Sequence, residues 1–284
     1  MTIRKRSATD IVVMGAFLLL TLLILLPLWY VLVISLSTAK SYAMDSIHLW
    51  PRTISLAQYK LVFGNAEVMR SFGVSVIVTL AGTAFSMLMS IMGGYSLSKK
   101  GMPGRRFLLT MVIITMFFSG GLVPYYLLVR NLGLNNTFLA LILPMAINSF
   151  NLIILKNHFV SFPLSLEESA KLDGYNDVQI LVRIVVPLSM PVIATIALFY
   201  AVGYWNDYFQ ATLFISSNKM YPMQVVLRQM IIQQTVVGLR GMNGQTIEQF
   251  KMACVVVGML PMLAVYPFIQ RFFSKGIMIG AIKE

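Results

Sequence analysis

Hydrophobic positions in this chain do not alternate with polar ones; they run together in long blocks that short polar, mostly basic stretches interrupt. A helix crossing the hydrocarbon core needs about 20 mostly apolar residues. Six such runs are present, over residues 11–37, 71–98, 107–129, 137–155, 187–209 and 252–273. The pattern predicts an all-α integral membrane protein with six transmembrane helices, organised as one transmembrane domain over residues 1–284. The first run exceeds the roughly 7–15 apolar residues of a secretory signal peptide and is expected to stay as an anchor. The second contains Gly93-Gly94, a small pair that lets another helix approach closely. A polar loop, residues 156–186, separates the fourth and fifth runs.

Composition agrees with this reading. Of 284 residues, 58% are hydrophobic and 11% charged, against about 25% charged in a soluble protein. The charge is unequal, with 22 Lys and Arg against 10 Asp and Glu and a formal net charge of +12. In a membrane chain such a bias reports topology rather than nucleic-acid binding, because short basic loops stay on the cytoplasmic side. Placing Arg4, Lys5, Arg6, Lys99, Lys100, Arg105, Arg106, Lys156, Lys171, Arg183, Arg271, Lys275 and Lys283 inside puts both termini in the cytoplasm. Two outer segments, about 38–70 and 210–251, then have room for short helices. The second, with Gly238, Gly241 and Gly244 among several glutamines, reads equally as a solvated connector or as a docking surface for an external partner.

The loop at 156–186 holds four acidic residues, Glu167, Glu168, Asp173 and Asp177, in a chain with few. Ser165-Leu166-Glu167-Glu168 fits a capping box, predicting a helix from Leu166 to Asp173. Gly174 would end it, since glycine accepts the left-handed backbone of a helix terminus. Asn176 or Asp177 would cap a second helix, which Pro187 stops or bends into the membrane.

These residues resemble the EAA loop of permease subunits from binding-protein-dependent ABC importers. The matching positions are Glu168, Ala170, Asp173, Gly174, Ile184 and Pro187, with Ser169 in place of the middle alanine. The resemblance implies the type I importer permease fold, in which this loop is a coupling helix seated in a cleft of a cytoplasmic ATPase and Glu168 pairs with a basic residue there. Phe199 to Phe209, with Trp205-Asn206-Asp207-Tyr208, resembles the signature following the fifth span in carbohydrate importers of the maltose-permease type. Phe118-Ser119-Gly120-Gly121-Leu122-Val123-Pro124-Tyr125-Tyr126 resembles the branch handling oligosaccharides, including those from acidic polysaccharides. Together the resemblances imply a permease subunit of the bacterial inner membrane forming half of a sugar path. Its implied partners are a second homologous permease subunit, an ATPase dimer that binds ATP and Mg²⁺, an extracytoplasmic solute-binding protein and an oligosaccharide.

The chain carries no chemistry of its own for driving transport. No Walker A loop occurs: Gly241-Met242-Asn243-Gly244-Gln245-Thr246 lacks the phosphate-reaching Lys and follows no strand. His48 and His158 fall at opposite membrane faces and Cys254 stands alone, so neither a metal site nor a catalytic triad is expected. The apolar runs are almost free of ionisable residues, which counts against ion coupling. Asp207, near an outer end, reads either as part of the substrate path or as a side chain reaching for water. A sugar site needs aromatic faces for pyranose rings and amides for hydroxyls. Trp205, Asn206 and Tyr208 supply these, as do Tyr125, Tyr126, Asn148 and Asn151, although aromatic belts at the interface account for the same Trp and Tyr. Other solutes on this scaffold, such as a polyol or glycerol phosphate, or an ATP-independent channel or secondary transporter, are the alternative functions.

Overall fold

The computed structural model describes residues 8–44, 49–232 and 244–280. Arg4, Lys5, Arg6, His48, Gly238, Arg240, Gly241 and Lys283 lie outside them. Fifteen α-helices follow one another in the described residues, with no strand among them beyond an isolated bridge between Ser37 and Ile54. They are α1 (Ala8–Leu36), α2 (Ala39–Met44), α3 (Ala57–Gly64), α4 (Ala66–Ser98), α5 (Arg105–Phe117), α6 (Leu122–Asn131), α7 (Leu139–Ile142), α8 (Ser149–Val160), α9 (Leu164–Leu172), α10 (Asp177–Ile180), α11 (Val186–Leu188), α12 (Met190–Asn206), α13 (Phe209–Phe214), α14 (Met223–Ile232) and α15 (Gly244–Gly280). In lipid every backbone polar group must be satisfied within the segment, which is why apolar runs of this length fold as helices.

Three of the helices, over Val12–Leu36, Ala66–Ser98 and Thr246–Val265, are uninterrupted, long and apolar enough to cross a membrane. Two helix pairs are apolar and long enough only when joined across a bend, so the described residues hold three such helices, or up to five with each pair counted as one, where the sequence predicts six. Leu139–Met145 meets Ser149–Val160 at 50°, and Asp177–Leu188 meets Met190–Asn206 at 86°. The run at 107–129 is not the single helix its hydropathy predicts: α5 stops at Phe117 and α6 restarts at Leu122. Gly121 takes φ 82° there, a left-handed conformation that suits glycine and breaks the helix. Pro124 then sits in the first turn of α6, where its missing N–H costs nothing. The fourth run extends five residues beyond its predicted end, to Val160, so Lys156 belongs to α8 rather than to the loop.

The chain divides into two compact units, residues 1–69 with 227–260 and residues 70–226 with 261–284. In the first, α1 exposes Phe17, Leu20 and Ile24, the surface of a helix facing lipid, and buries Val33 and Ile34 near its end. There the hydroxyls of Ser35 and Tyr59 bond at 2.7 Å, joining α1 to α3, and Gln58 Nε2 donates to Gln249 Oε1 at 3.4 Å. Cys254 is buried and unbridged.

The second unit holds a core built from one face of α4 (Val74, Val78, Met87, Tyr95) with Leu155 and Phe159 of α8 and Ile193, Ile196, Tyr200 and Tyr204 of α12. The Gly93-Gly94 pair does what its size predicts. A Cβ on Gly93 would lie 3.3 Å from Leu152 Cδ1, and one on Gly94 3.3 Å from both Leu155 Cβ and the Lys156 nitrogen, so α4 and α8 meet through bare backbone. At Gly82 the approach is closer still: an added Cβ would be 2.7 Å from the Tyr204 ring.

Candidate functional site

The short loop after α8 ends at Pro163, whose extended backbone (φ −61°, ψ 128°) caps α9 without a side-chain bond. The capping box predicted from Ser165 to Glu168 is therefore absent. The turn at Pro163 starts the helix at Leu164, so Ser165 and Glu168 already lie inside it. The predicted end is observed. Gly174 has φ 82°, and its N–H donates to the Lys171 carbonyl at 3.0 Å while the Tyr175 N–H donates to that of Ala170 at 2.9 Å. This pair of bonds is the Schellman motif, and Tyr175 packs on the core containing Ala170, the apolar contact that accompanies it.

Asn176, one of the two predicted caps, closes the next helix with a full capping box. Its Oδ1 accepts from the Gln179 N–H and its own N–H donates to Gln179 Oε1, both at 2.9 Å. A π-helical turn over Leu181–Val185 connects α10 to α11. The predicted bend occurs at Ser189, between Pro187 and Pro191, rather than at Pro187, which sits in the opening turn of α11. Pro191 has no N–H to continue a straight helix from α11.

Within this helix–turn–helix the side chains divide by face. Ala170, 3% exposed, is buried in the core with Ile180, Leu181 and Val185, whereas Glu168, Ser169 and Asp173 are exposed. Ile184 packs against the same core, and Pro187 is exposed. The neighbouring carboxylate, Glu167, is in ion-pair contact with Lys99, which lies just beyond α4. This pair escaped the sequence reading; Lys99 and Glu167 were both placed on one membrane face, but nothing in their spacing joins them.

The sequence-predicted path residues fall into two groups. Trp205 is 2% exposed and meets Phe72 edge-on at 5.7 Å, so it is a core residue of α12 and α4 rather than an open aromatic face. Asn206, exposed, donates to the Val202 carbonyl at 3.0 Å and accepts from Gln224 at 3.4 Å. Asp207 Oδ1 accepts from the Gln210 N–H at 3.2 Å and so helps cap α13. Half-buried Tyr208 precedes that helix. Tyr125 donates to Gln210 Oε1 at 2.7 Å and meets Phe214 edge-on, while Tyr126 stacks on the same ring. These contacts tie α6 to α13.

Asn148 and Asn151 form the second group, at the break between α7 and α8. Asn148 Oδ1 caps α8 by accepting from the Asn151 N–H at 3.1 Å, and Asn151 itself is buried. A cavity of about 620 Å³ opens beside the break, lined by Met111, Thr115, Met116, Ile147, Asn148 and Phe150 among others. Two tyrosines fix the break. The Asn148 N–H donates to Tyr200 Oη at 3.0 Å and Tyr204 Oη donates to the Ile142 carbonyl at 3.0 Å. Each hydroxyl also bonds a serine of α4, Ser90 with Tyr200 at 2.7 Å and Ser86 with Tyr204 at 2.8 Å. The signal available in the sequence was a pair of serines and a pair of tyrosines, each spaced four apart within apolar runs, the spacing of one helix face.

Among the described residues no cluster of three or more His, Cys, Asp and Glu stands ready for a metal ion.

Comparison with known proteins adds four findings. Residues 86–279 match the family model described as binding-protein-dependent transport system inner membrane component. The protein LplC of Bacillus subtilis (strain 168) is 47% identical over 266 residues, covering 91% of this chain and 89% of LplC. The polygalacturonan/rhamnogalacturonan transport system permease protein YtcP of the same organism is 44% identical, covering 98% of this chain and 99% of YtcP. Among solved structures, a chain of a bacterial ABC transporter involved in the import of the acidic polysaccharide alginate matches with a TM-score of 0.89 at 31% identity, covering 96% of this chain and 100% of that one.

Proposed function

The chain belongs to the family of binding-protein-dependent transport system inner membrane components, and we propose that it forms half of the path by which oligosaccharides cleaved from acidic polysaccharides enter the cell. It is a multi-pass ABC importer permease, and ATP hydrolysis belongs to a partner. The other half of the path is a second, homologous permease subunit. A solute-binding protein delivers the sugar to the outer segments, and an ATPase dimer, holding ATP and Mg²⁺, engages the loop from Leu164 to Leu188. Both termini lie in the cytoplasm.

The observation that carries this reading is the division of faces on α9. Ala170 is buried in the protein core while Glu168, two residues before it, is exposed, leaving a carboxylate for a cation of the ATPase. The Gly174 turn fixes the angle between α9 and α10, so a displacement of α9 is passed to α10 and α11 and onward to α12 instead of being absorbed by a loose loop.

The test is reconstitution of the chain with its partner permease and ATPase in liposomes, with the loaded binding protein outside. Glu168→Lys should reduce ATP-dependent uptake at least about tenfold, because like charges then face each other across the contact, with membrane insertion intact. Uptake that persists without ATP sinks the importer mechanism. A binding protein that takes a polyol or glycerol phosphate and no sugar sinks the oligosaccharide.

A further inference from the structure

We propose that Lys99 and Glu167 form the tie through which α9 acts on α4, with Glu167 a positioning residue for coupling distinct from Glu168. The proposal rests on the coupling reading of the loop. Glu167 lies in the first turn of α9 and Lys99 immediately after α4. Lys99 Nζ contacts Glu167 Oε1 directly, with side-chain exposures of only 25% and 18%. The same ammonium lies over the ring of Tyr95, 4.1 Å from its centroid, and Tyr95 in turn meets Phe159 of α8 edge-on at 6.2 Å. The cation is thus held from two sides, by a carboxylate and by the face of a buried ring. Burial works against its charge, but the attraction of Glu167 and Tyr95 outweighs burial and raises the Lys99 pKa above its ordinary value.

The ion pair adds a directed polar contact to the apolar core that Ala170 of α9 shares with Tyr95 of α4. A cavity of about 460 Å³ lies between the end of α4 and the start of α10, lined by Met92, Tyr95, Lys99, Asp177, Val178 and Leu181 among others. The other ion pair of the loop, Lys171 with Asp177 at 3.3 Å, is exposed and joins α9 only to α10, where solvent screens it. Force on α9 therefore reaches α4 through Lys99 as well as through the shared apolar core. From there α4 leads to the close approach with α8 at Gly93-Gly94 and to Tyr200 and Tyr204 through Ser90 and Ser86. Two adjacent carboxylates point in different directions around the helix: Glu168 outward, Glu167 toward α4.

The experiment measures sugar taken up per ATP hydrolysed by the full reconstituted complex. Glu167→Gln, nearly isosteric, and Lys99→Met should each lower this ratio about tenfold, within the range of ordinary coupling energies, while hydrolysis continues. Lys99→Arg should retain it. The exchanged pair, Lys99→Glu with Glu167→Lys, should recover uptake above either single variant but short of the original, because a carboxylate over the Tyr95 ring forfeits the cation–π attraction. An unchanged ratio in Glu167→Gln, or an exchanged pair no better than the single variants, overturns the tie. Where Glu168→Lys blocks uptake and Glu167→Gln does not, the tie alone fails; where neither affects uptake, the coupling role of the whole loop fails.

Discussion

Gly174 offers a graded test of whether the turn after α9 transmits force. Its φ of 82° is forced by the Schellman closure, and a Cβ added there would meet nothing within 4 Å. The cost of Gly174→Ala is therefore that of a left-handed backbone alone, about 1–2 kcal/mol. Asn tolerates that conformation better than other residues with a Cβ and should cost less. Proline is different in kind. Its φ is locked near −65°, and it removes the N–H that donates to Lys171 at 3.0 Å, so the turn cannot form and the penalty is about 3 kcal/mol or more. With about 1.4 kcal/mol per tenfold change in an equilibrium constant, the ratio of closed to open turns should fall about 5- to 30-fold for Ala and more than about a hundredfold for Pro. Uptake into liposomes, normalised to inserted protein, should follow Gly, Asn, Ala, Pro in descending order, with ATP hydrolysis less affected than uptake. Equal uptake by the Gly and Pro forms would refute the idea that this turn must be rigid; equal loss in Asn, Ala and Pro would point to the glycine surface rather than its dihedral angle.

Three further outcomes are expected. Gly82→Ala should destabilise the detergent-solubilised protein by about 1–3 kcal/mol through overpacking, and Tyr204→Leu in the same chain should relieve the clash; thermal unfolding of both variants and the pair decides it, and additive losses would refute the contact. Asp207→Asn should leave uptake near its original level because the amide oxygen still accepts from Gln210, whereas Asp207→Ala should cost about 1 kcal/mol of stability as a lost helix cap; a large loss of uptake in the Asn variant would instead place the charge in the substrate path. Asn176→Ala should weaken coupling in the same assay as Gly174→Ala, since loss of the capping box costs about 1 kcal/mol, and normal uptake per ATP would show that α10 holds its orientation without the cap.

The all-helical character, the polar loop at 156–186, the glycine stop at 174 and the cap at Asn176 were legible in the sequence. Each depends on residues within a few positions of one another: apolar length decides a membrane helix, a positive φ requires glycine, and an amide two or three residues before a helix interior caps it. Where local signals compete, the sequence alone left the wrong one standing. Ser165 and Glu168 had capping-box spacing, but the extended backbone of Pro163 began the helix before them. The run at 107–129 had the hydropathy of one helix, and the positive φ of Gly121 divided it.

Tertiary structure decided the contacts between distant residues. Trp205 is the strongest sugar-binding side chain in the sequence by type, yet folding placed it against Phe72 in the core. The charges of Lys99 and Glu167 were visible, and so were the serines and tyrosines at four-residue spacing, but their pairings were not. A membrane span is selected by its own transfer free energy and can be read one segment at a time. Which hydroxyl meets which carbonyl, and which carboxylate turns inward, depends on how helices far apart in the chain pack, a property that no single segment contains.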